Sequence, residues 1–268
     1  MMVEMLSHGF MLRAVAAGVV VGTVLAALSV IIVLKKLSFM GVGVSHSAFG
    51  GLAMGALLGV DLTLSALVFS TLVALAVGWL SRRGRIHEDV SVGIVFAVSM
   101  AIGVVCLGLM EGYNIDLFSY LFGSILAVSE GDLLMAAAVA ALVSGAMALL
   151  FKEFLVYCFD EEWARVSGVN VDRLQDLLLV MIAVTVVVSI KLLGVVLVSA
   201  LLVIPGATGL LVARSYRVLY VYSIATALVS TMTGLFLSYS FDIASGATIV
   251  LSAASLFLVA ALLAPKRE

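Results

Sequence analysis

The sequence predicts an all-α polytopic membrane protein of about nine spans, with eight as the lower count. Three observations carry that prediction. Of the 268 residues, 64% are hydrophobic and only 11% charged, too little polarity for the surface that a water-soluble chain of this length exposes. A helix needs roughly 20 apolar residues to cross a bilayer core, and runs of that kind recur at 10–34, 41–60, 62–80, 90–110, 132–151, 174–190, 192–213, 217–238 and 244–264. The placement of Lys and Arg then orients them. With the N-terminus outside, the cytoplasmic pieces hold Lys35, Lys36, Arg82, Arg83, Arg85, Lys152, Arg165, Arg173, Arg214, Arg217, Lys266 and Arg267, which is 12 of the 14 basic residues. Only Arg13 and Lys191 fall on the outer side. Positive charge gathers on cytoplasmic loops, so the expectation is a multi-pass protein of the cell (inner) membrane with its C-terminus in the cytoplasm.

The elements follow in order. The first run is too long for a cleavable leader and ends in Lys35-Lys36 instead of a small-residue cleavage site. The second carries GVGVSHSAFGG (41–51) and continues into GLAMG (51–55). Small residues of this kind let helix backbones approach where lipid gives no hydrophobic drive for packing. Next come 62–80 and 90–110, parted by Arg82, Arg83 and Arg85. DLFSYLFGSILAVS (116–129) is apolar but short, and is expected as an outer re-entrant or interfacial helix. If it crossed, Lys152, Arg165 and Arg173 would move outside and the charge bias would collapse.

After 132–151 comes the long cytoplasmic piece, 152–173. Within it DEEWARVSG (160–168) is written like a short helix. Asp160 is a good N-cap, Glu161 and Glu162 suit the positive end of the helix dipole, Arg165 suits the other end, and Gly168 can take the left-handed stop. Two turns are not stable alone in water, so this is either a helix packed on something or a solvated loop with one helical turn. In 192–213 the stretch LLVIPGATG places Pro205 where it kinks its helix, which either shapes a pathway or is a structural bend. Lys191 is expected to anchor at the interface by extending its head to water. No linker, low-complexity tract or internal repeat divides the chain, so residues 1–268 form one transmembrane domain.

The missing chemistry narrows the function. There is no phosphate-binding glycine loop, no H-E-x-x-H and no G-x-S-x-G, so no catalytic residues are assigned. The middle of every run lacks Asp, Glu, Lys and Arg, which argues against a proton-driven carrier. Uphill transport would draw its energy from another chain. Cys106 and Cys158 give neither a disulfide framework nor ligand spacing, and the 12 Met are scattered as packing residues. No nucleic-acid partner and no permanently bound cofactor are expected.

Of three histidines, His46 alone lies well inside an apolar run. One reading is a packed, hydrogen-bonded side chain. The other is an ion ligand, because ionisable groups inside a membrane mark pathways and sites, and Gly43, Ser45, Ser47 and Gly50 leave room beside it. Asp116 and Asp242 sit at outer ends. They are either acidic groups that concentrate cations at a pore mouth or solvated loop charges.

Five blocks occur in order: LKKLSFMGVGVSHSAFGGLAMGALLG (34–59), DLFSYLFGSILAVSEGDL (116–133), FDEEWARVSGV (159–169), KLLGVVLVSALLVIPGATGLL (191–211) and SFDIASGATIVL (240–251). Together they resemble the permease subunits of the ABC transporters that import zinc, manganese or iron. The resemblance implies a transported divalent metal ion, a second copy of the permease, a cytoplasmic ATP-binding subunit and an extracytoplasmic metal-binding protein. It also implies that Asp160, Glu161, Glu162, Arg165 and Gly168 belong to a coupling helix on the ATPase, and that His46 is a metal residue. Two positions depart from the family pattern. Val42 stands where an aspartate precedes the histidine by four residues, and Ala244 stands where a proline precedes Ser-Gly. The competing functions are a secondary metal carrier without an ATPase and a membrane receptor or scaffold that transports nothing.

Overall fold

The computed structural model describes residues 9–84, 86–110, 125 and 128–264. The described residues form twelve helices and no strand: α1 (Gly9–Leu34), α2 (Ser38–Leu58), α3 (Leu62–Gly84), α4 (Glu88–Gly108), α5 (Glu130–Leu149), α6 (Phe151–Phe159), α7 (Glu161–Val166), α8 (Val171–Leu193), α9 (Val195–Leu201), α10 (Ile204–Val212), α11 (Tyr216–Phe241) and α12 (Ser245–Leu263). Nine stretches among them are long and apolar enough to cross a membrane, with α9 and α10 together forming one. The all-α, nine-span expectation therefore holds. Most of the expected short outer helix at 116–129 lies outside the described residues, as does Asp116.

A helix that is apolar all round is buried either in protein or in lipid, and the buried shares separate the two. About two-thirds or more of the apolar window is buried in α1 (67%), α2 (67%) and α8 (72%), against 17% in α5 and in α12. The first three form the centre. α2 is wedged between α3 and α4, and adjacent glycines show how. A Cβ on Gly50 would stand 2.6 Å from the Ser99 carbonyl oxygen of α4, while one on Gly51 would stand 2.7 Å from Ala66 Cα of α3. Successive helix positions point about 100° apart, so two neighbouring glycines admit two different helices. On the other side, α1 packs on α5, α10 and α11, and α11 packs on α12.

Hydroxyls inside the bundle mostly bond back to their own helix, as in Thr71 to the Leu67 carbonyl and Ser99 to the Val95 carbonyl. That satisfies a donor that lipid cannot. Ser65 reaches across instead, donating to the Gly51 carbonyl at 2.7 Å.

Three regions differ in detail from expectation. The piece 152–173 holds the expected short helix, α7, and another before it, α6. The chain turns at Leu150, and α6 then presses Phe154 and Tyr157 inward, each about 1% exposed. The run 192–213 is broken at two places, one of them within a turn of Pro205. α8 stops at Gly194 (φ 80°, ψ 160°), a conformation open essentially to glycine, and the helix is interrupted again at Leu202–Val203. Pro205 sits in the first turn of α10, where its missing N–H costs no helical bond. Lys191 does not simply extend to water. Its ammonium pairs with Asp132 of α5 at 2.6 Å.

Candidate functional site

Two regions hold the residues singled out from the sequence. The first is α2. Its N-terminal half is built of small residues, which is why it can lie so close to its neighbours. His46 is half-buried there. Its imidazole meets the Phe96 ring of α4 edge-on, with centroids 5.7 Å apart and planes at 72°. Among the described residues it has no hydrogen-bond partner, and no group of three or more His, Cys, Asp or Glu gathers anywhere that could hold a metal alone. Val42, one turn earlier, shares the half-open face. Ser45 is fully buried and receives a long hydrogen bond, 3.4 Å, from Ser199 of α9. The imidazole thus lies half-open within a candidate span, a setting that suits either a packed polar residue or an ion ligand.

The second region is the end of the bundle where the basic residues collect. Asp160 caps α7, its carboxylate accepting from the Trp163 N–H at 2.9 Å. The helix stops as Gly168 turns left-handed at φ 86°, with the Gly168 and Val169 N–H groups bonded back to Arg165 and Ala164. Ala164 is its buried residue, while Trp163 and Val166 are 62% and 81% exposed. Six residues cannot persist as a helix in isolation, and ion pairs help to hold this one. Glu161 receives Lys35, just past the end of α1, at 3.0 Å and Arg165 at 3.2 Å. Arg165 also reaches Asp172 of α8 at 2.7 Å. Burial alone would raise the Glu161 carboxyl, but Lys35 and then Arg165 outweigh it and hold it below the usual glutamate range. The Arg165 guanidinium is raised, first by its hydrogen bond to Asp172. Glu162 is exposed and takes no part in these pairs.

The remaining candidates lie apart from both regions. Asp242 is exposed and adopts the left-handed conformation (φ 51°, ψ 47°) that ends α11, its N–H bonded to the Ser238 carbonyl. That gives it a structural task whether or not it attracts cations. Asp116 lies outside the described residues. Pro205 is buried beside Gly206, which is held against the Ser29 backbone of α1. Sequence reading missed a buried amide, Gln175, which is 6% exposed and bridges α3 and α4. A polar residue on the inner face of a strongly apolar helix was the signal for it.

Against known proteins, residues 7–264 match the ABC 3 transport family. The chain is 34% identical over 263 residues to a manganese transport system membrane protein of Listeria innocua, covering 98% of this chain and 94% of that one. It is 36% identical over 259 residues to a Haemophilus influenzae protein named "Probable iron transport system membrane protein", covering 97% and 95%. Among solved structures it superimposes on a chain of PsaBC from Streptococcus pneumoniae, determined in complex with a Fab, with a TM-score of 0.86 and 33% identity over 99% of this chain and 97% of that chain.

Proposed function

This chain belongs to the ABC 3 transport family, and on that footing we propose that it is the membrane-spanning permease of an ATP-driven importer of a divalent transition metal. Residues 1–268 act as one domain, and two copies enclose the path. The relatives' printed names put manganese first and iron second. The observation that carries the reading is the half-open His46 on the central helix α2, in a chain whose fold matches PsaBC nearly end to end.

The parts take these roles. His46 is a transient ligand, completed by water, carbonyls or the partner copy's histidine, since a closed four-ligand cage would hold the ion too tightly to conduct it. α7 docks on a cytoplasmic ATP-binding subunit through exposed Trp163 and Val166, with Asp160, Glu161, Glu162, Arg165 and Gly168 shaping and holding it. The metal arrives from an extracytoplasmic binding protein at the opposite end, where Asp116 and Asp242 draw cations. The N-terminus is outside and the C-terminus in the cytoplasm of an inner membrane.

One observation favours a different metal order. Val42 leaves no carboxylate beside His46, and imidazole suits iron and zinc better than it suits manganese, which prefers oxygen donors. The test is uptake of manganese, iron and zinc by cells with and without the protein, together with purification of the complex. An ATPase that co-purifies, and whose hydrolysis rises with the transported metal, is the expected result. A secondary carrier or a scaffold predicts neither, and finding neither would overturn the reading.

A further inference from the structure

α7 packs chiefly on α6 and α8, whereas His46 lies on α2 between α3 and α4. The element that touches both sides is α8, which packs heavily on α3 and also on α2. Its first two turns place Asp172, Gln175 and Asp176 on one face, at spacings of three and four. Asp172 accepts the Arg165 guanidinium of α7 at 2.7 Å. One turn on, the Gln175 amide oxygen accepts from Arg82 Nη1 in the last turn of α3 at 3.1 Å, and its amide nitrogen donates to Glu88 Oε1 in the first turn of α4 at 3.3 Å. Arg82 also lies 2.7 Å from Asp176.

These groups surround a cleft of about 400 Å³, with Glu161, Arg165 and Asp172 toward α7 and Arg82, Glu88 and Gln175 toward α3 and α4. A primary amide is suited to this place. It offers an acceptor to the guanidinium and a donor to the carboxylate at once, which neither a carboxylate nor an ammonium does. Because Gln175 is nearly buried, losing either bond leaves a polar group with poor access to water.

We propose that Gln175 is a positioning residue that transmits movement of α7, through the first turns of α8, to the α3 and α4 ends and so to the His46 stretch between them. This rests on the reading of α7 as the ATPase-docking element. The arrangement makes a polarity-swap prediction. Gln175→Glu keeps the acceptor for Arg82 but sets two carboxylates against each other at Glu88. Glu88→Gln combined with Gln175→Glu restores a donor–acceptor pair in reverse.

The measurement is ATP hydrolysis by the assembled transporter in proteoliposomes, with and without manganese, alongside manganese uptake. Gln175→Glu should keep basal hydrolysis and lose about fivefold or more of the manganese-dependent increment. The double variant should regain most of it, and Glu88→Gln alone, which leaves two amides able to bond, should lose little. A residue that merely fills space would not distinguish the single variant from the double. Manganese-dependent hydrolysis at the wild-type level in Gln175→Glu, or no recovery in the double variant, overturns the relay while leaving α7 as the docking element. Wild-type stimulation in Trp163→Ala overturns the docking element, and the relay with it.

Discussion

Lys35 and Glu161 are 126 positions apart in the chain, and their charged groups meet at 3.0 Å. The same ammonium stands 3.9 Å from the centre of the Tyr157 ring. One residue at the end of the central helix α1 thus grips both α6 and α7. A cation held by a carboxylate and by an aromatic face, partly out of water, is worth more than a free surface pair. The position of α7 is therefore tied to the core of the bundle and not to its loop alone.

That tie has a pH signature. The Glu161 carboxyl is held below its ordinary range, so its contribution is complete above the unfolded value and is lost as pH falls through the folded one. The group is 43% exposed, so screening leaves it under about 1 kcal/mol. Trp163 reports on α7. In a Trp79→Phe background its fluorescence should change with a midpoint below about pH 4.3, the free glutamate value, and Glu161→Gln should abolish that transition. A transition that persists unchanged in the variant would separate Glu161 from the position of α7.

Gly168 ends α7 at φ 86°, and a Cβ there would meet nothing within 4 Å. Its cost on substitution is therefore backbone conformation alone, about 1–2 kcal/mol for an ordinary L residue in this region. Gly168→Val should insert normally, keep basal ATP hydrolysis and weaken its stimulation by metal, while Gly168→Asn, which tolerates the left-handed region, should be milder. Equal stimulation in the wild type and the Val variant would show that the termination of α7 does not matter to coupling.

A Cβ on Gly206 would lie 2.5 Å from the Ser29 carbonyl oxygen, backbone against backbone, with no flexible side chain to yield. Gly206→Ala should force α10 off α1 and cost about 1–3 kcal/mol, read as a lower thermal midpoint in detergent. Gly145→Ala, where nothing stands within 4 Å, is the control and should not lower it. If both variants melt alike, the α1–α10 approach is looser than these distances say.

The orientation rests on where Lys and Arg lie, and thiol labelling reads it directly. Asn114→Cys should react with an impermeant maleimide on intact cells, and Ser167→Cys only after permeabilisation. The native thiols interfere little. Cys106 is buried, and burial pushes the Cys158 thiol up to about 11, leaving it mostly protonated at neutral pH. Labelling of position 167 from outside would reverse the topology.

Much of this architecture was legible because a bilayer imposes a length on apolar runs and a bias on charge. The Asp160 cap and the Gly168 stop were readable for a related reason, since they are local chemistry with few alternatives. What escaped was long-range. Pro205 marked one bend in the run at 192–213, but nothing local picked out Gly194 among the many glycines as the site of a second break. Gln175 escaped likewise, as its partners lie 93 and 87 positions away. Lys191 looked like an interfacial anchor only because Asp132, its partner, belongs to another helix.

His46 is the residue on which the transport reading turns. Its ring is steadied by Phe96 but has no hydrogen-bond partner among the described residues, and its neighbour on the same face is the apolar Val42. If the imidazole is a ligand, His46→Ala should cut metal uptake tenfold or more, about what the loss of even an outer-shell partner of a metal ligand can do, with membrane level and basal ATP hydrolysis unchanged. His46→Asn keeps polarity without the ring nitrogen and should rescue little. Val42→Asp would add an oxygen donor one turn before the histidine, on the same face. It should shift preference toward manganese and lengthen ion retention, because a carboxylate binds the harder ion better and releases it more slowly. Uptake that survives His46→Ala at the wild-type rate would make this a packing residue after all. A Val42→Asp variant whose metal preference does not move would place the selective step away from this face of α2.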